Sequence, residues 1–320
     1  MDSLVPRRAV VVAVLSLLPT AAAQLQGGGA CVSDWDCSLG GVCNTGSSCE
    51  CDVWFTGAQC DLLNVVAPSP EEYASWGLQL SGYSTWGGHA VLDTASGVWH
   101  GFFSLMCKHG PLDDWTTYSS IIRATAPAVT GPFAFAEQLD VPYATNAMYV
   151  PPAAAGGLHM VWRIGDAMGA NPDTWSPCYD PPADGSEGSA TSVARLVRAA
   201  AQDAGRSGSG GVETSVTFVQ TSAALAGPWS EWGSVAVNLT GTWATGTSNP
   251  APFIFPNGST LLFHSAQTCP PSWGLAPSCI GVAVASSWEG PYTEATALPI
   301  THPEGEDPFV FRDPRGNFHL

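Results

Sequence analysis

Two adjacent carboxylates, Glu306 and Asp307, open the last sixteen residues of the chain, Gly305 to Leu320, which read GEDPFVFRDPRGNFHL. Carboxyl groups placed side by side can take up and return protons, so this pair is the first candidate for acid–base chemistry. Asp307 has a second reading, as the cap of a turn before Pro308, with Glu306 solvated. Another acidic pair, Asp113-Asp114, precedes Trp115 and reads more plainly as a solvated turn. Arg163 ends an apolar strand in a chain with only 10 Lys and Arg, which makes it a candidate donor to bound hydroxyl groups or, equally, half of a structural ion pair. No Gly-rich phosphate loop, nucleophile elbow or HExxH zinc motif occurs, and neither a metal nor a cofactor is expected.

The acids stand at the mouth of a β-hairpin. Phe309-Val310-Phe311 leads into the charged turn Arg312 to Asn317, and Phe318-His319-Leu320 returns. The same phrase occurs three times earlier. Ser248 to Phe255 returns through Pro256-Asn257-Gly258-Ser259 to Leu261-Leu262-Phe263-His264; Asn146 to Val150 returns to Leu158 to Trp162; and Gly87 to Leu92 returns through Asp93 to Gly97 to Val98 to Phe103. Three of these hairpins are followed by an apolar strand and a Gly-Pro-aromatic step: Gly131-Pro132-Phe133, Gly227-Pro228-Trp229 and Gly290-Pro291-Tyr292. Each unit therefore holds about four strands, the content of one propeller blade, and the fourth unit stops after its inner hairpin.

From Trp76 to Leu320 this pattern resembles the five-bladed β-propeller glycosidases of glycoside hydrolase family 43, on the strength of the repeated hairpin, the EDPFVFRDPRGNFH run and the Gly-Pro-aromatic turns. The resemblance implies a central funnel with at least two carboxyl groups, one protonating the leaving oxygen and one activating water or attacking directly. Asp307 and Glu306 are its catalytic candidates here. Aligning the four hairpins on their apolar strands sets Gly88, Asn146 and Ala251 opposite Asp307, so one blade alone keeps its acid. Asn146 and Asn249 remain able to hydrogen-bond sugar hydroxyls, His89 can serve as a polar or proton-carrying group, and Arg163 as a donor.

The amino terminus carries Pro6-Arg7-Arg8, an apolar run from Ala9 to Leu18 and the small-residue stretch Thr20-Ala21-Ala22-Ala23, the layout of a secretory signal peptide over residues 1–23. A short linker, 24–30, precedes six cysteines in 31–62, spaced C-x5-C-x5-C-x5-C-x-C-x8-C and ending Trp54-Phe55-Thr56-Gly57-Ala58-Gln59-Cys60. Spacing alone allows fifteen connectivities. The segment resembles an EGF-like module, which implies pairing of Cys31 with Cys43, Cys37 with Cys49 and Cys51 with Cys60; disulfides replace the core so short a segment cannot build. A Pro-containing linker, 63–75, leads to the propeller, 76–320. Even cysteine count and an oxidising compartment suggest two further bonds, Cys269 with Cys279 and Cys107 with Cys178. A long insertion after Asp166 contains an Ala-rich stretch, Ser189 to Ala204, expected to be helical, and Asn238-Leu239-Thr240 and Asn257-Gly258-Ser259 are glycosylation sequons at expected turns.

The expected fold is thus mostly β, a small disulfide-rich EGF-like module plus an incomplete β-propeller of about four of five blades, truncated in blade four. A fragment, or an open edge covered by a partner, is the expectation for such an ending. The net charge of −17 with no basic patch argues against nucleic acid or an anionic membrane as partner, and no segment after the signal is long enough to span a bilayer. Thirteen Trp in a Gly- and Pro-rich chain suit a sugar-facing surface. Two functional readings follow: a secreted propeller glycosidase acting on polysaccharide, or a non-catalytic extracellular protein binding a glycan or another protein.

Overall fold

In the computed structural model, the chain is described for residues 27–65, 67–78, 80–107, 110–112, 115, 119–139, 144–152, 156–165, 216–266, 269–270, 278–301 and 305–320. The signal segment, Asp113-Asp114, Cys178 and the Ser189 to Ala204 stretch lie outside these residues. The chain divides into two compact units between Pro68 and Ser69. No described helix is long and apolar enough to cross a membrane.

The first unit holds two small antiparallel pairs, β1 (Gly41–Cys43) with β2 (Cys49–Cys51) and β3 (Phe55–Thr56) with β4 (Leu62–Leu63). Its disulfides join Cys31 to Cys43, Cys37 to Cys49 and Cys51 to Cys60. The cystines themselves are the core, with Phe55 packed against them, while Trp35 and Trp54 stay exposed. In so short a segment the crosslinks stabilise chiefly by restricting the unfolded chain.

A short helix, α1 (Pro70–Ser75), stands where the sequence reading had a linker. Its cause is legible in Ser69-Pro70-Glu71-Glu72. The Glu72 backbone N–H donates to Ser69 Oγ at 3.2 Å, Ser69 N–H donates to Glu72 Oε2 at 2.8 Å, and proline occupies the first helical turn.

The second unit is a β-propeller built from antiparallel meanders in chain order. Blade one is β5 (Tyr83–Asp93), β6 (Val98–Cys107), β7 (Ser119–Ala126) and β8 (Ala134–Gln138). Blade two is β9 (Ala144–Val150), β10 (His159–Gly165), β11 (Val216–Ser222) and β12 (Gly233–Val235). In blade three, β13 (Val237–Asn238) runs parallel to the outer strand of β14 (Ser248–Ile254), β15 (Thr260–Ala266), β16 (Cys279–Ala285) and β17 (Tyr292–Glu294). A fourth hairpin, β18 (Phe311–Arg312) with β19 (Phe318–His319), follows. The Cys269–Cys279 disulfide closes the loop entering β16.

Turn chemistry sets the register of three of the hairpins. Asp93 Oδ1 accepts from Ala95 N–H at 3.0 Å, Asn257 Oδ1 from Ser259 N–H at 3.1 Å and Asp313 Oδ1 from Asn317 N–H at 2.9 Å. Each turn closes on a glycine in the left-handed region, Gly97, Gly258 or Gly316, where a Cβ would be strained. The three Gly-Pro steps are alike as well: all are cis, and each glycine N–H bonds the carbonyl three residues back.

In two of the three steps the aromatic residue serves packing between blades, whereas Phe133 packs on Ala124, Ala126 and Phe103 of its own blade. Tyr292 is fully buried in a core shared by blades two and three with Trp162, Met160 and Leu262. Trp229 packs on the core between blades one and two, built from Phe102, Tyr149, Val161 and Trp232. A third cluster of Ala251, Phe263, Ile280 and Val282 receives Val310 from the segment leading into the fourth hairpin. Burial of such side chains contributes about 1.5–3 kcal/mol each and is the term that stacks the sheets face to face. Strand β7 is accordingly buried along almost its whole length, whereas β5 is exposed at four consecutive residues from Thr85 to Gly88.

Candidate functional site

The first strand of every unit breaks step at one point. Gly87, Asn146, Asn249 and Asp307 all have left-handed backbone, with φ of 53°, 57°, 50° and 52°. Such a φ is uncommon outside glycine, and Asn and Asp are the side chains that tolerate it best. Ladder pairing slips at the first three positions: between Trp86 and Gly88, opposite Arg163 in β10, and between Ser248 and Ala251. A bulge of this kind re-aims one side chain out of the strand's alternation.

This geometry changes the equivalences expected from sequence. The counterparts of Asp307 are Gly87 and Asn249, rather than Gly88 and Ala251, with Asn146 in blade two. Alignment on apolar strands assumes strict alternation, and a bulge inserts a residue that alternation cannot count.

The four positions meet at an open cavity of about 380 Å³, walled by Trp86, Met148, Pro250 and Phe309. That volume lies in the range of small-ligand pockets, about 300–1,000 Å³. Asp307 is its only carboxylate among the described residues. Asn146 Nδ2 donates to Asp307 Oδ1 at 2.6 Å, and the Asn249 side chain bonds the same carboxyl. Crowding by protein raises the Asp307 pKa above the ordinary carboxylate value, and the two amides offset only part of that effect. Asn146 is itself hung from blade one, since its backbone N–H donates to the buried Ser104 Oγ at 2.9 Å.

Behind each bulge the neighbouring strand supplies a differently held support. Arg163, opposite Asn146, is 3% exposed and lies between the rings of Phe218 and Trp232, each 4.4 Å from its guanidinium carbon. His264, opposite Asn249, bonds Glu294 through Nε2 at 2.8 Å. Phe103, opposite Gly88, packs edge-on against Phe133 with centroids 5.1 Å apart.

Of the residues chosen from sequence, the fold brings Asp307, Asn146 and Asn249 together. Glu306 is exposed and does not line the cavity. His89 stands behind the wall, its ring 5.4 Å from that of Phe309, with Nδ1 accepting from Tyr149 N–H at 3.4 Å; burial lowers its pKa and keeps it neutral. Arg163 is likewise outside the cavity lining. Asn238 and Asn257 are exposed, each accepting the backbone N–H of the sequon's third residue. Trp86, Met148 and Phe309 lacked a signal of their own; each stands one or two residues from a ring position, and the bulge is what turns them to the cavity.

Gly87 is testable by substitution. A Cβ there would meet nothing closer than Asn146 Oδ1 at 4.0 Å, and its φ is one that Asn already adopts at two equivalent positions. Gly87→Asn is expected to change stability by less than about 1 kcal/mol, and Gly87→Val to destabilise by about 1–3 kcal/mol, as measured by denaturant unfolding.

No protein-family profile matches the chain, and no curated protein matches it. Among solved structures it is similar to a thermostable family-43 glycoside hydrolase, at 15% identity and a TM-score of 0.45, over 78% of this chain and 67% of that one. It is also similar to an endo-1,4-beta-xylanase from Bacteroides thetaiotaomicron, at 12% and 0.42, over 73% and 64%. A family 117 glycoside hydrolase from the marine bacterium Zobellia galactanivorans matches at 14% and 0.40, over 69% and 58%. The chain thus spans less than two thirds of the length of the last two structures.

Proposed function

We propose that this is a secreted carbohydrate-interacting protein whose propeller, 76–320, holds a glycan at the ring of Gly87, Asn146, Asn249 and Asp307, with an EGF-like module, 31–62, as a spacer or contact surface. The observation that carries the reading is one carboxyl, bonded by two amides, in an open cavity beside Trp86 and Phe309, which are 40% and 49% exposed. Polar groups fixed from separate blades suit directional bonds to hydroxyls, and exposed aromatic faces suit the apolar faces of sugar rings.

Calorimetric titration of the secreted chain with arabinan, xylan, galactan and fructan oligosaccharides tests the proposal. At least one is expected to bind, and Trp86→Ala to weaken it about 5- to 10-fold, roughly 1 kcal/mol of stacking. Absence of binding across the panel would leave the chain as a protein-binding extracellular scaffold.

Hydrolysis is the second reading, and the raised pKa of Asp307 favours it, because a glycosidic general acid must hold its proton near working pH. Glu306, exposed and outside the lining, would have to be brought in, or a second carboxyl supplied by Asp113, Asp114 or the segment after Asp166. Turnover of any panel member that vanishes in Asp307→Asn supports hydrolysis. Binding without turnover leaves a lectin-like propeller.

A further inference from the structure

We infer that the cavity selects an organic ammonium group, and specifically the free amine of an unacetylated amino sugar within the glycan. The inference rests on the carbohydrate reading above and narrows it to a class of sugar.

One carboxylate and the amides fixed on it set what the cavity accepts. Asn146 and Asn249 both turn hydrogen-bonding capacity toward Asp307, and Asn146 Nδ2 uses one of its two N–H groups on Oδ1 of that carboxyl. Asn146 Oδ1, which accepts from Thr145 Oγ1 at 3.3 Å, keeps a second lone pair that looks across open space to Gly87, where the ring has no side chain. Asp307 adds a second acceptor with a negative charge. No cation among the described residues lines the cavity.

The described arginines are all engaged elsewhere. Arg123 pairs with Glu137, Arg163 lies between two rings, Arg312 donates to the Gly316 carbonyl and Arg315 pairs with Asp313. A site whose one charge among the described residues is a carboxylate complements a donor-rich cation and disfavours sulfate, phosphate or uronate. The walls point the same way. Trp86 and Phe309 present aromatic surface, and a cation beside an aromatic face gains about 0.5–2 kcal/mol that a neutral hydroxyl does not. Asp307 itself lacks a cationic partner within the ring, and crowding already disfavours its charge; an ammonium would supply the missing counter-charge.

A lysine side chain carries the same chemical group. The amino sugar is preferred because the cavity is open and its aromatic walls suit a ring beside the amine. The two neighbouring amides suit the hydroxyls that an amino sugar brings and a lysine lacks.

The test titrates the full chain with three tetrasaccharides of the same linkage: the glucosamine tetramer, its N-acetylated form and cellotetraose. The amine form is expected to bind at least about tenfold tighter than the other two. Asp307→Asn is expected to remove that preference, bringing the amine form to the affinity of its N-acetylated form. This variant also excludes diffuse attraction of a polycation to the acidic chain, because it removes one charge from a net −17 and would leave diffuse binding almost unchanged. Equal binding of the three tetramers overturns the ammonium inference and preserves the glycan reading. Binding of none overturns the ammonium inference, and the glycan reading then stands or falls on the arabinan, xylan, galactan and fructan titrations. A lysine tripeptide that binds as tightly as the glucosamine tetramer overturns the amino-sugar assignment.

Discussion

Replacement of Glu294 by alanine is expected to cost about 3–5 kcal/mol of folding stability, because the three partners of its buried carboxylate would each lose their hydrogen bond at about 1–3 kcal/mol. Glu294 and His264 both have fully buried side chains and meet at 2.8 Å. The second carboxyl oxygen accepts from Val282 N–H at 3.2 Å and Thr296 Oγ1 at 2.8 Å, so alanine would orphan three groups at once. Burial pushes the Glu294 pKa up, but the His264 contact and these hydrogen bonds outweigh it and hold the group below its ordinary value of 4.5. An acid with a depressed folded pKa stabilises the fold above its unfolded pKa and loses that contribution as pH falls through the folded one. Unfolding free energy should therefore drop below about pH 4.5 in the native chain. Glu294→Gln keeps the shape and some of the bonds, so its curve should lie lower at neutral pH and fall less steeply into acid. Curves that stay parallel from pH 7 to pH 3 would falsify this account.

The pair matters to the site because of where it stands. His264 backs the bulge that carries Asn249, and Glu294 lies on the outer strand of the same blade. The strut thus runs from the ring to the rim of the sheet. Arg163 does the equivalent work in blade two with two aromatic rings in place of an acid. This explains why an arginine that looked like a ligand donor lies buried. Arg163 and His264 each stand opposite a bulge, and neither lines the cavity that the bulges create.

Much of this fold could be read in the residues because turns and periodicity are local. Asp93 to Gly97, Asn257-Gly258 and Asp313 to Gly316 each impose their hairpin through an Asx bond and a left-handed glycine, and the three Gly-Pro-aromatic steps recur at one place in the blade. The six-cysteine spacing likewise carried its pairing through family resemblance. The candidate site was only half legible. Asn146, Asn249 and Asp307 stand out as polar residues at strand starts, yet their equivalence depends on backbone φ, which the letters do not show. Alternation counts two residues per step, and three successive bulges each break that count. Glu306 illustrates the cost: adjacency to Asp307 suggested a pair, but the left-handed backbone at Asp307 turns its carboxyl to the cavity and leaves Glu306 outside the lining.

Asp307→Asn is expected to abolish the amine preference, to remove any hydrolysis, and yet to leave the fold as stable as before or more so at neutral pH. Asparagine already occupies the same left-handed backbone at 146 and 249, so the substitution meets no conformational cost. The raised pKa of Asp307 means that the folded state holds its proton more tightly than the unfolded chain does. Such an acid favours the fold at low pH and opposes it as pH rises past the folded pKa. Asp307 is exposed, so solvent screening keeps the effect small: removing it should leave the melting temperature at pH 7 unchanged or slightly higher, and the two melting curves should converge near pH 3. The result to look for is the opposite pH slope from Glu294: one acid is ionised and fully paired where it supports the sheet, the other is left short of a counter-charge where the blades meet. A variant at Asp307 that loses stability at neutral pH along with binding would mean that the carboxyl serves the fold, and the ring of amides around it would then be a structural clasp with no ligand to hold.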